Sequence, residues 1–317
     1  MQLLRKSNLN EFYAKTAVTI GTFDGVHKGH QLILKQLKKY AKVHNLRPVV
    51  ILFEPQPKEY FLKEKAPKRL SNLGDKIKLI QNYGIEIILC LQFNKYLKHL
   101  SALDFIKEIL IDGLNAKYIL IGDDFRFGYK QQGDFQLLEQ YAKTYQYKIE
   151  KAPTFSYEEK RISSSEIRKL ILAGNFKKAA QLLGHPYRLS GKIARGNQRG
   201  RTIDFPTINI QLKNNMAVSG VYVVEIKLNN KIHNGVANVG RRPTVDGITR
   251  LLEVFIFDFN QDVYNNHAEI VFLHWLRNEV KFESFEKLKQ QIKLDVDNAK
   301  QWLLNYQKIN HKTKTGS

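Results

Sequence analysis

Short apolar runs rich in β-branched residues alternate with segments of helical periodicity between Ala17 and about Gly184. The runs are "AVTI", "PVVILFE", "IEIILCL" and "KYILIG". Strands that alternate with helices favour βαβ units and a mainly parallel sheet, so the pattern predicts an α/β fold for this part of the chain. The helical spacing is carried by two apolar sets: Leu32, Ile33, Leu37 and Ala41, and later Phe105, Ile106, Ile109 and Leu110.

The pattern changes after Tyr187. From there to about Trp275, apolar runs are separated by Gly and Asn turns without helical stretches, and "GVYVVEIKLNNKIHNGVANVG" predicts a hairpin that turns at Asn229-Asn230. Several adjacent antiparallel strands favour a small barrel, since closure removes exposed edges. A final helix is predicted from near Ser284 and is expected to pack on the barrel through one stripe: Phe285, Leu288, Ile292, Val296, Ala299 and Leu303.

These patterns predict two domains and a tail. We expect an α/β domain over residues 1–186 and a β-barrel domain with its C-terminal helix over 187–308. Ser163 or Ser164 is a candidate helix cap, and Gly184 a helix stop. The last residues, 309–317, have no apolar side chain to bury beyond Ile309 and are expected to be disordered.

The charge of the chain is strongly positive. Lys and Arg number 51 against 30 Asp and Glu, a net charge of +21 that would attract phosphorylated small molecules or nucleic acid. The lysines are spread as pairs such as Lys38-Lys39, with no basic-aromatic stripe, which favours a solvated surface over a nucleic-acid interface. Cys90 is the only cysteine and is expected to be buried, so no internal disulfide can form. With no signal-like or membrane-spanning apolar stretch, the sequence predicts a cytoplasmic protein.

The stretch "TIGTFDGVHKGH", Thr19 to His30, lies where the first strand passes into a helix. Its glycines allow backbone N–H groups to approach an anion at a helix N-terminus, and His27 and His30 share one helical turn. The alternatives are a metal pair, which usually needs a third ligand, or one packed and one solvated histidine. Contact with a phosphate is the interpretation that the spacing favours.

Together with later motifs, this stretch resembles the bacterial bifunctional riboflavin kinase/FAD synthetase family. The motifs occur in the family's order: "GTFDGVHKGH", "RLSNLGDKIKLIQNYG", "GDDFRFG", "ISSSEIRKLILAGNFKKAAQLLGHPYRLSGKI", "FPTINI", "GVANVGRRPTV", "EVFIFDF" and "LRNEVKFESFEKLKQQIKLDVDNA". The resemblance implies a Rossmann-like nucleotidyltransferase domain followed by a flavokinase barrel. It also implies ATP as co-substrate, riboflavin and FMN as substrates, FAD as the final product, and Mg²⁺ as cofactor.

For the first module, the resemblance implies transfer of AMP from ATP to FMN. His27, His30 and Arg168 would act on the phosphates. A helix cap is the alternative role for the serine triplet, and packing is the alternative for the aromatic residues. The substrate-binding residues implied are Gly21, Phe23, Asp24, Gly25, Gly29, Asp124, Phe125, Phe127, Ser164 and Ser165.

For the second module, the resemblance implies transfer of the γ-phosphoryl group of ATP to riboflavin, with Glu253 as the base. Thr207 and Asn209 are two apart in a strand and so share a face; both offer the oxygen ligands that Mg²⁺ prefers. The alternative is a structural role, because Thr and Asn beside a Pro are common at the ends of strands. The remaining implied substrate contacts are Gly191, Gly196 and Arg201 of a glycine- and arginine-rich flap, and Arg277, for which contact with the closing helix is the alternative.

The chain departs from the family pattern at three informative positions. Gln56 replaces the histidine of a Pro-His-Pro motif, so a neutral amide stands where the family has a side chain that can carry charge. Asp204 replaces a glycine near the expected phosphates and could repel ATP or help to bind Mg²⁺. Asn265 stands where the family often has glycine. Like glycine, asparagine can adopt the left-handed backbone conformation.

The function indicated is a bifunctional enzyme that converts riboflavin to FMN and FMN to FAD. Its partners would be small molecules, without nucleic acid or membrane, and the protein would be a monomer or a weak homo-oligomer. Two alternatives stay open from the sequence: an enzyme that keeps only one step, and a non-catalytic RNA-binding protein. Salt-sensitive RNA binding without flavin turnover would identify the second.

Overall fold

The computed structural model describes residues 2–12, 14–153, 156–157, 160–194, 207–212, 215–244 and 247–314. Its contacts divide the chain into two units. The first comprises Met1–Pro67 and Leu73–Ser164, and the second comprises Lys68–Asn72 and Ser165–Ser317.

A six-stranded parallel sheet forms the centre of the first unit. The order of its strands is β1-β4-β3-β2-β5-β6. The four predicted strand runs correspond to β2 to β5, which confirms the parallel sheet. The strands are β1 (Gln2–Leu4), β2 (Thr16–Ile20), β3 (Arg47–Glu54), β4 (Ile87–Gln92), β5 (Ala116–Ile121) and β6 (Lys148–Lys151).

Helices cover both faces of this sheet and enclose one apolar core on each. On α1 the buried apolar residues are Leu34, Leu37 and Ala41, so Leu34 takes the core position that the sequence assigned to Leu32. The predicted stripe from Phe105 to Leu110 is buried, in a π-helical segment, Phe105–Gly113, that continues α5. The helices are α1 (Lys28–Val43), α2 (Pro57–Leu62), α3 (Leu73–Gln81), α4 (Lys95–His99), α5 (Ala102–Asp104) and α6 (Phe135–Tyr145).

The order of the strands reverses between β2 and β5. From β2 the chain adds β3 and then β4 on one side, whereas β5 and β6 lie on the other side. In open parallel sheets the carboxyl ends of the strands at such a switch point frame the ligand crevice. The glycine-rich stretch follows β2, and "GDDFRFG" follows β5, so both motifs begin at this switch point.

After a short hairpin of β7 (Ser156–Tyr157) and β8 (Lys160–Arg161), two helices lead to the barrel: α7 (Ser164–Leu172) and α8 (Phe176–Leu183). Gly184 ends α8 with a φ of 76°, as predicted. Phe176 at the start of α8 packs edge-on against Tyr222, with ring centroids 5.7 Å apart, and against Phe272 of the barrel. The helix pair therefore belongs with the second unit in space. The functional boundary at residues 186/187 stays a prediction.

Six antiparallel strands close into the predicted barrel, in the order β10-β13-β12-β11-β14-β9. The hairpin between β11 and β12 turns at Asn229 and Asn230, whose φ values of 50° and 61° are those of a tight hairpin turn. The strands are β9 (Arg188–Ala194), β10 (Thr207–Leu212), β11 (Gly220–Leu228), β12 (Lys231–Thr244), β13 (Gly247–Ile256) and β14 (His267–Arg277).

The last helix, α9 (Phe285–Lys314), packs on the outside of the barrel. Val296, Ala299 and Leu303 are buried there against Val221 and Val223 of β11. Phe285 is 47% exposed, so the contact uses less of the predicted stripe than its full length. The helix continues into the predicted tail as far as Lys314, because no Gly or Pro interrupts it before Gly316; residues 315–317 lie outside the described part of the chain.

Candidate functional sites

The loop after β2 has an unusual backbone. Phe23 and Val26 have φ values of 46° and 42°, a region that a β-branched residue such as Val26 rarely adopts, and Gly25 has a φ of 78°. Both apolar side chains are buried, and Gln31 donates a hydrogen bond of 2.9 Å from Nε2 to the carbonyl oxygen of Val26. Such a conformation persists only when its surroundings fix it, and it therefore marks this loop as a candidate functional site.

The two histidines of the motif lie against each other at the start of α1. Their rings are stacked, with centroids 3.7 Å apart and planes 16° from parallel. His27 is the N-cap of α1, where its Nδ1 accepts the backbone N–H of His30 at 3.4 Å. Nδ1 of His30 is buried and has no hydrogen-bond partner among the described residues. The two rings thus present their edges side by side.

Both imidazoles are held in the neutral form. Burial lowers the pKa of His27 to about 4, and Arg161 adds to this while Asp24 opposes it. Burial, followed by His27 and Lys76, keeps the pKa of His30 well below its usual range. Because Nδ1 of His27 is an acceptor, the single proton of its neutral ring is on Nε2. His27 can therefore donate one hydrogen bond to an anion without carrying a charge.

Lys76 is a buried cation near this pair that the sequence analysis missed. Lys76 is only 1% exposed, and its positive charge contributes to the low pKa of His30. The signal was present in the helical pattern, because Lys76 shares the inward face of α3 with Ile77 and Ile80. A lysine at a core position of a helix that borders a phosphate motif is a candidate phosphate ligand.

Ser164 is joined to the glycine-rich loop by a hydrogen bond. Its hydroxyl donates to the carbonyl oxygen of Asp24 at 3.0 Å, and Asp24 itself is buried. The first residue of α7 is therefore tied to the loop that precedes the histidines. Ser165 and Arg168 follow on the same helix, within the second unit. Their predicted contact with substrate stays a prediction.

The residues of "GDDFRFG" have different surroundings. The Asp124 side chain is 77% exposed and forms an ion pair of 3.3 Å with Arg161. Phe127 is buried and packs against Phe105, with ring centroids 5.4 Å apart, whereas the half-buried Phe125 stacks on Phe127. Phe127 is thus a core residue in this structure, whereas Asp124 and Phe125 are accessible to a ligand.

Gln56 has a structural role in this chain. It is the N-cap of α2, and its backbone N–H donates to Oε2 of Glu59 at 2.9 Å. Its side-chain Nε2 is buried without a hydrogen-bond partner among the described residues. The amide that replaces the family's histidine therefore still has a donor available after the carboxyl end of β3.

A row of polar residues crosses three strands of the barrel. Asn209 on β10 lies directly opposite Glu253 on β13, and Glu253 lies directly opposite Asn238 on β12. Opposite residues of an antiparallel pair project to the same face, with Cβ atoms about 4.5–5.5 Å apart. Thr207, two residues before Asn209, shares that face and lies opposite Phe255. The structure thus brings Thr207, Asn209 and Glu253 to one face and adds Asn238, while their predicted roles stay predictions.

This polar row lies on the outer face of the barrel, beside the residues that α9 covers. Val236 and Phe255, on the same face, belong to the apolar cluster that includes Val296 of α9. Ile208, between Thr207 and Asn209, points to the opposite side and is buried. The face therefore combines hydroxyl, amide and carboxylate groups with an apolar border.

Arg277 contacts the closing helix, which was the alternative to substrate binding. Its Nε and Nη2 donate to Oδ1 and Oδ2 of Asp295 at 2.8 and 2.7 Å, a bidentate pair. Asp295 is buried and also accepts a hydrogen bond of 3.0 Å from Gln291. Arg277 thus joins the end of β14 to α9, and a contact with the flavin stays a prediction.

Of the three flap residues named above, only Gly191 lies in the described part of the chain. A Cβ at Gly191 would lie 2.4 Å from Cγ2 of Ile210, so glycine is needed for β9 to pack next to β10. Gly196, Arg201 and Asp204 lie outside the described residues. Asn265 has a φ of 67°, the left-handed conformation expected where the family has glycine.

Comparison with known proteins agrees with this division into two sites. The family model for FAD synthetase matches residues 9–166, and the one for riboflavin kinase matches residues 183–303. The bifunctional riboflavin kinase/FMN adenylyltransferase of Haemophilus influenzae is 43% identical over 95% of this chain and 98% of its own length. The chain belongs to this bifunctional family. The Escherichia coli K12 member is 42% identical, over 90% of this chain and 92% of its own.

One solved structure is similar in fold over nearly the whole chain. A crystal structure from Streptococcus pneumoniae, described as a macrolide-efflux protein, superposes with a TM-score of 0.73 at 32% identity, covering 93% of this chain and 97% of that one. Within the described residues, no helix has the length and apolar character needed to cross a membrane. Those residues also hold no cluster of three or more His, Cys, Asp or Glu arranged for a metal ion.

Proposed function

We propose that the barrel converts riboflavin to FMN and that the α/β unit converts FMN to FAD. ATP is the co-substrate of both steps. Each matched module contains an assembled group of side chains with the chemistry its reaction needs, and this is the observation that carries the proposal. In the barrel it is the row from Asn209 to Glu253, and in the α/β unit it is the stacked pair of His27 and His30.

In the kinase step, the 5′-hydroxyl of riboflavin attacks the γ-phosphorus of ATP. Its proton passes to the carboxylate of Glu253, a new P–O bond forms, and ADP leaves. A neutral hydroxyl is a weak nucleophile, so a positioned base at Glu253 assists this step. Asn209 faces Glu253 across the strands, so phosphates held by Asn209 would lie beside the base.

The oxygens of Thr207 and Asn209 fit Mg²⁺. Both side chains lie on the polar face. Asn209 is only 7% exposed, so its amide has little contact with water. Mg²⁺ is bound through a few protein oxygens together with substrate phosphates, and when bound it neutralises the charge that develops on them. These two residues would hold it.

In the adenylyltransferase step, a phosphate oxygen of FMN attacks the α-phosphorus of ATP, and pyrophosphate leaves. The nucleophile is already an anion, so the protein needs no base and acts by alignment and by stabilising charge. The neutral rings of His27 and His30 would donate hydrogen bonds to the phosphates, and Lys76 would supply positive charge behind them. Phosphate contacts from Ser165 and Arg168 stay predictions from the sequence.

Other properties of the enzyme stay predictions from the sequence. They are the cytoplasmic location, the monomeric or weakly associating state, and the flap contacts from Gly191, Gly196 and Arg201. The same holds for phosphate contact by Gly21, Gly25 and Gly29 of the loop.

Incubation of the purified protein with riboflavin, ATP and Mg²⁺ tests the proposed function. We expect FMN to appear first and FAD to follow, as measured by fluorescence-detected chromatography over time. Chelation of the metal with EDTA is expected to stop FMN formation. Accumulation of FMN alone would contradict the assignment of the α/β unit, and no conversion by the folded protein would contradict both assignments.

A further inference from the structure

Asn238 occupies a position in the barrel that no step described above uses. It lies directly opposite Glu253, on the side of β13 away from Asn209. The three residues therefore form a continuous row on one face, with the carboxylate in the middle. A side chain next to the base is within reach of a substrate that the base contacts.

The oxygen of this side chain lacks a donor. Oδ1 of Asn238 is buried and has no hydrogen-bond partner among the residues whose side chains the structure describes. A buried acceptor without a hydrogen-bond donor lowers the stability of the folded protein. In a binding site, such an acceptor is a candidate partner for a donor of the ligand. On its other side, Asn238 faces Val221, whose side chain offers no hydrogen bond. The donor that fits is therefore one that a substrate brings to the outer face.

The in-line geometry of phosphoryl transfer indicates which group of the substrate supplies that donor. In phosphoryl transfer the attacking and leaving oxygens lie roughly in line with phosphorus. With the phosphates at Thr207 and Asn209, on the β10 side of Glu253, the carbon chain of the alcohol extends to the opposite side, toward β12. The ribityl chain of riboflavin carries a secondary hydroxyl, the 4′-hydroxyl, on the carbon next to the one that is phosphorylated.

We propose that Asn238 binds the ribityl chain of riboflavin, its Oδ1 accepting a hydrogen bond from the 4′-hydroxyl while Glu253 takes the proton of the 5′-hydroxyl. This inference rests on the kinase site proposed above. Asn238 would thus make the enzyme select, as the alcohol to be phosphorylated, one that carries a second hydroxyl on the neighbouring carbon. A simple alcohol lacking the neighbouring hydroxyl would leave the buried oxygen without a partner.

The test compares riboflavin with 4′-deoxyriboflavin in the wild-type enzyme and in Asn238→Val, which keeps a strand-forming side chain of similar size. We expect the wild type to prefer riboflavin by at least about tenfold in kcat/KM, since an unpaired buried acceptor is costly. In Asn238→Val that preference is expected to vanish, because riboflavin loses its advantage. Conversion of FMN to FAD is expected to remain unchanged.

Asn234→Val is the matched control. Asn234 lies on the same strand and faces a glutamate, Glu225, in the way that Asn238 faces Glu253, but outside the row. This variant is expected to keep the wild-type preference. If Asn238→Val also keeps it, or if the wild type shows none, the proposal is wrong.

Two further measurements keep the test decisive. Should Asn238→Val not fold, wild-type rates with the 2′-, 3′- and 4′-deoxy analogues still test the proposal, which requires the 4′-deoxy analogue to lose the most. Full FMN formation by Glu253→Gln would instead show that the kinase site itself is misplaced, which separates that failure from a failure at Asn238.

Discussion

Replacing Glu253 by glutamine is expected to abolish FMN formation and to leave conversion of FMN to FAD intact. Glutamine keeps the size and hydrogen-bonding capacity of the side chain but cannot take the proton of the 5′-hydroxyl. Loss of a general base typically lowers a rate by about 10²–10⁴-fold. The two half-reactions are measured separately, with riboflavin and ATP in one assay and with FMN and ATP in the other.

Glu225→Gln is the matched control for this prediction. Glu225 lies on β11 of the same barrel, opposite Asn234 and Val271 and outside the polar row. Its replacement is expected to change neither half-reaction. Equal loss of both activities in folded Glu253→Gln protein would show that the two reactions share one site, and unchanged FMN formation would exclude Glu253 as the base.

The second large effect is expected at His27, where asparagine should block FAD formation and spare the kinase. Asparagine is a favoured N-cap, so this variant retains the cap of α1 while removing the imidazole. The loss of one hydrogen-bond donor to a reacting phosphate is expected to slow adenylylation by about 10²–10³-fold. The rate of FAD formation from FMN and ATP measures it.

His44→Asn is the control for this variant, because exposed His44 caps the other end of the same helix. Its replacement is expected to leave both half-reactions unchanged. A pH profile gives an independent readout. With the pKa of His27 lowered to about 4, the ring is already neutral, so the wild-type rate should not fall as the pH rises through 6.5. If His27→Asn still makes FAD at the normal rate, His27 is only a helix cap.

The order of the two domains could be predicted because each part of the chain has one dominant pattern of apolar residues. Alternating strands and helices up to Gly184, followed by strands joined at Asn229-Asn230, leave few arrangements other than a parallel sheet and a closed barrel. That His27 and His30 are neighbours could also be predicted, since both residues of a His-x-Gly-His motif fall at the first helical turn, whereas the stacking of their rings is known only from the structure.

The contacts that these motifs make with other elements could not be predicted from the sequence. Asn238 meets Glu253 only through the register of β12 on β13, which the sequence pattern does not determine. For Arg277 the sequence left two roles open, contact with substrate and contact with the closing helix, and it did not indicate Asp295, 18 residues away on α9, as the partner that the structure shows. Pairing between distant elements depends on the assembled barrel, not on local spacing.

Mixing the two variants tests the central claim, that separate groups of residues perform the two reactions. Alone, with riboflavin, ATP and Mg²⁺, Glu253→Gln is expected to leave riboflavin unchanged, and His27→Asn is expected to stop at FMN. An equal mixture is expected to produce FAD, because one variant supplies FMN and the other adenylylates it. A mixture that yields no FAD would contradict the assignment of the two reactions to two sites.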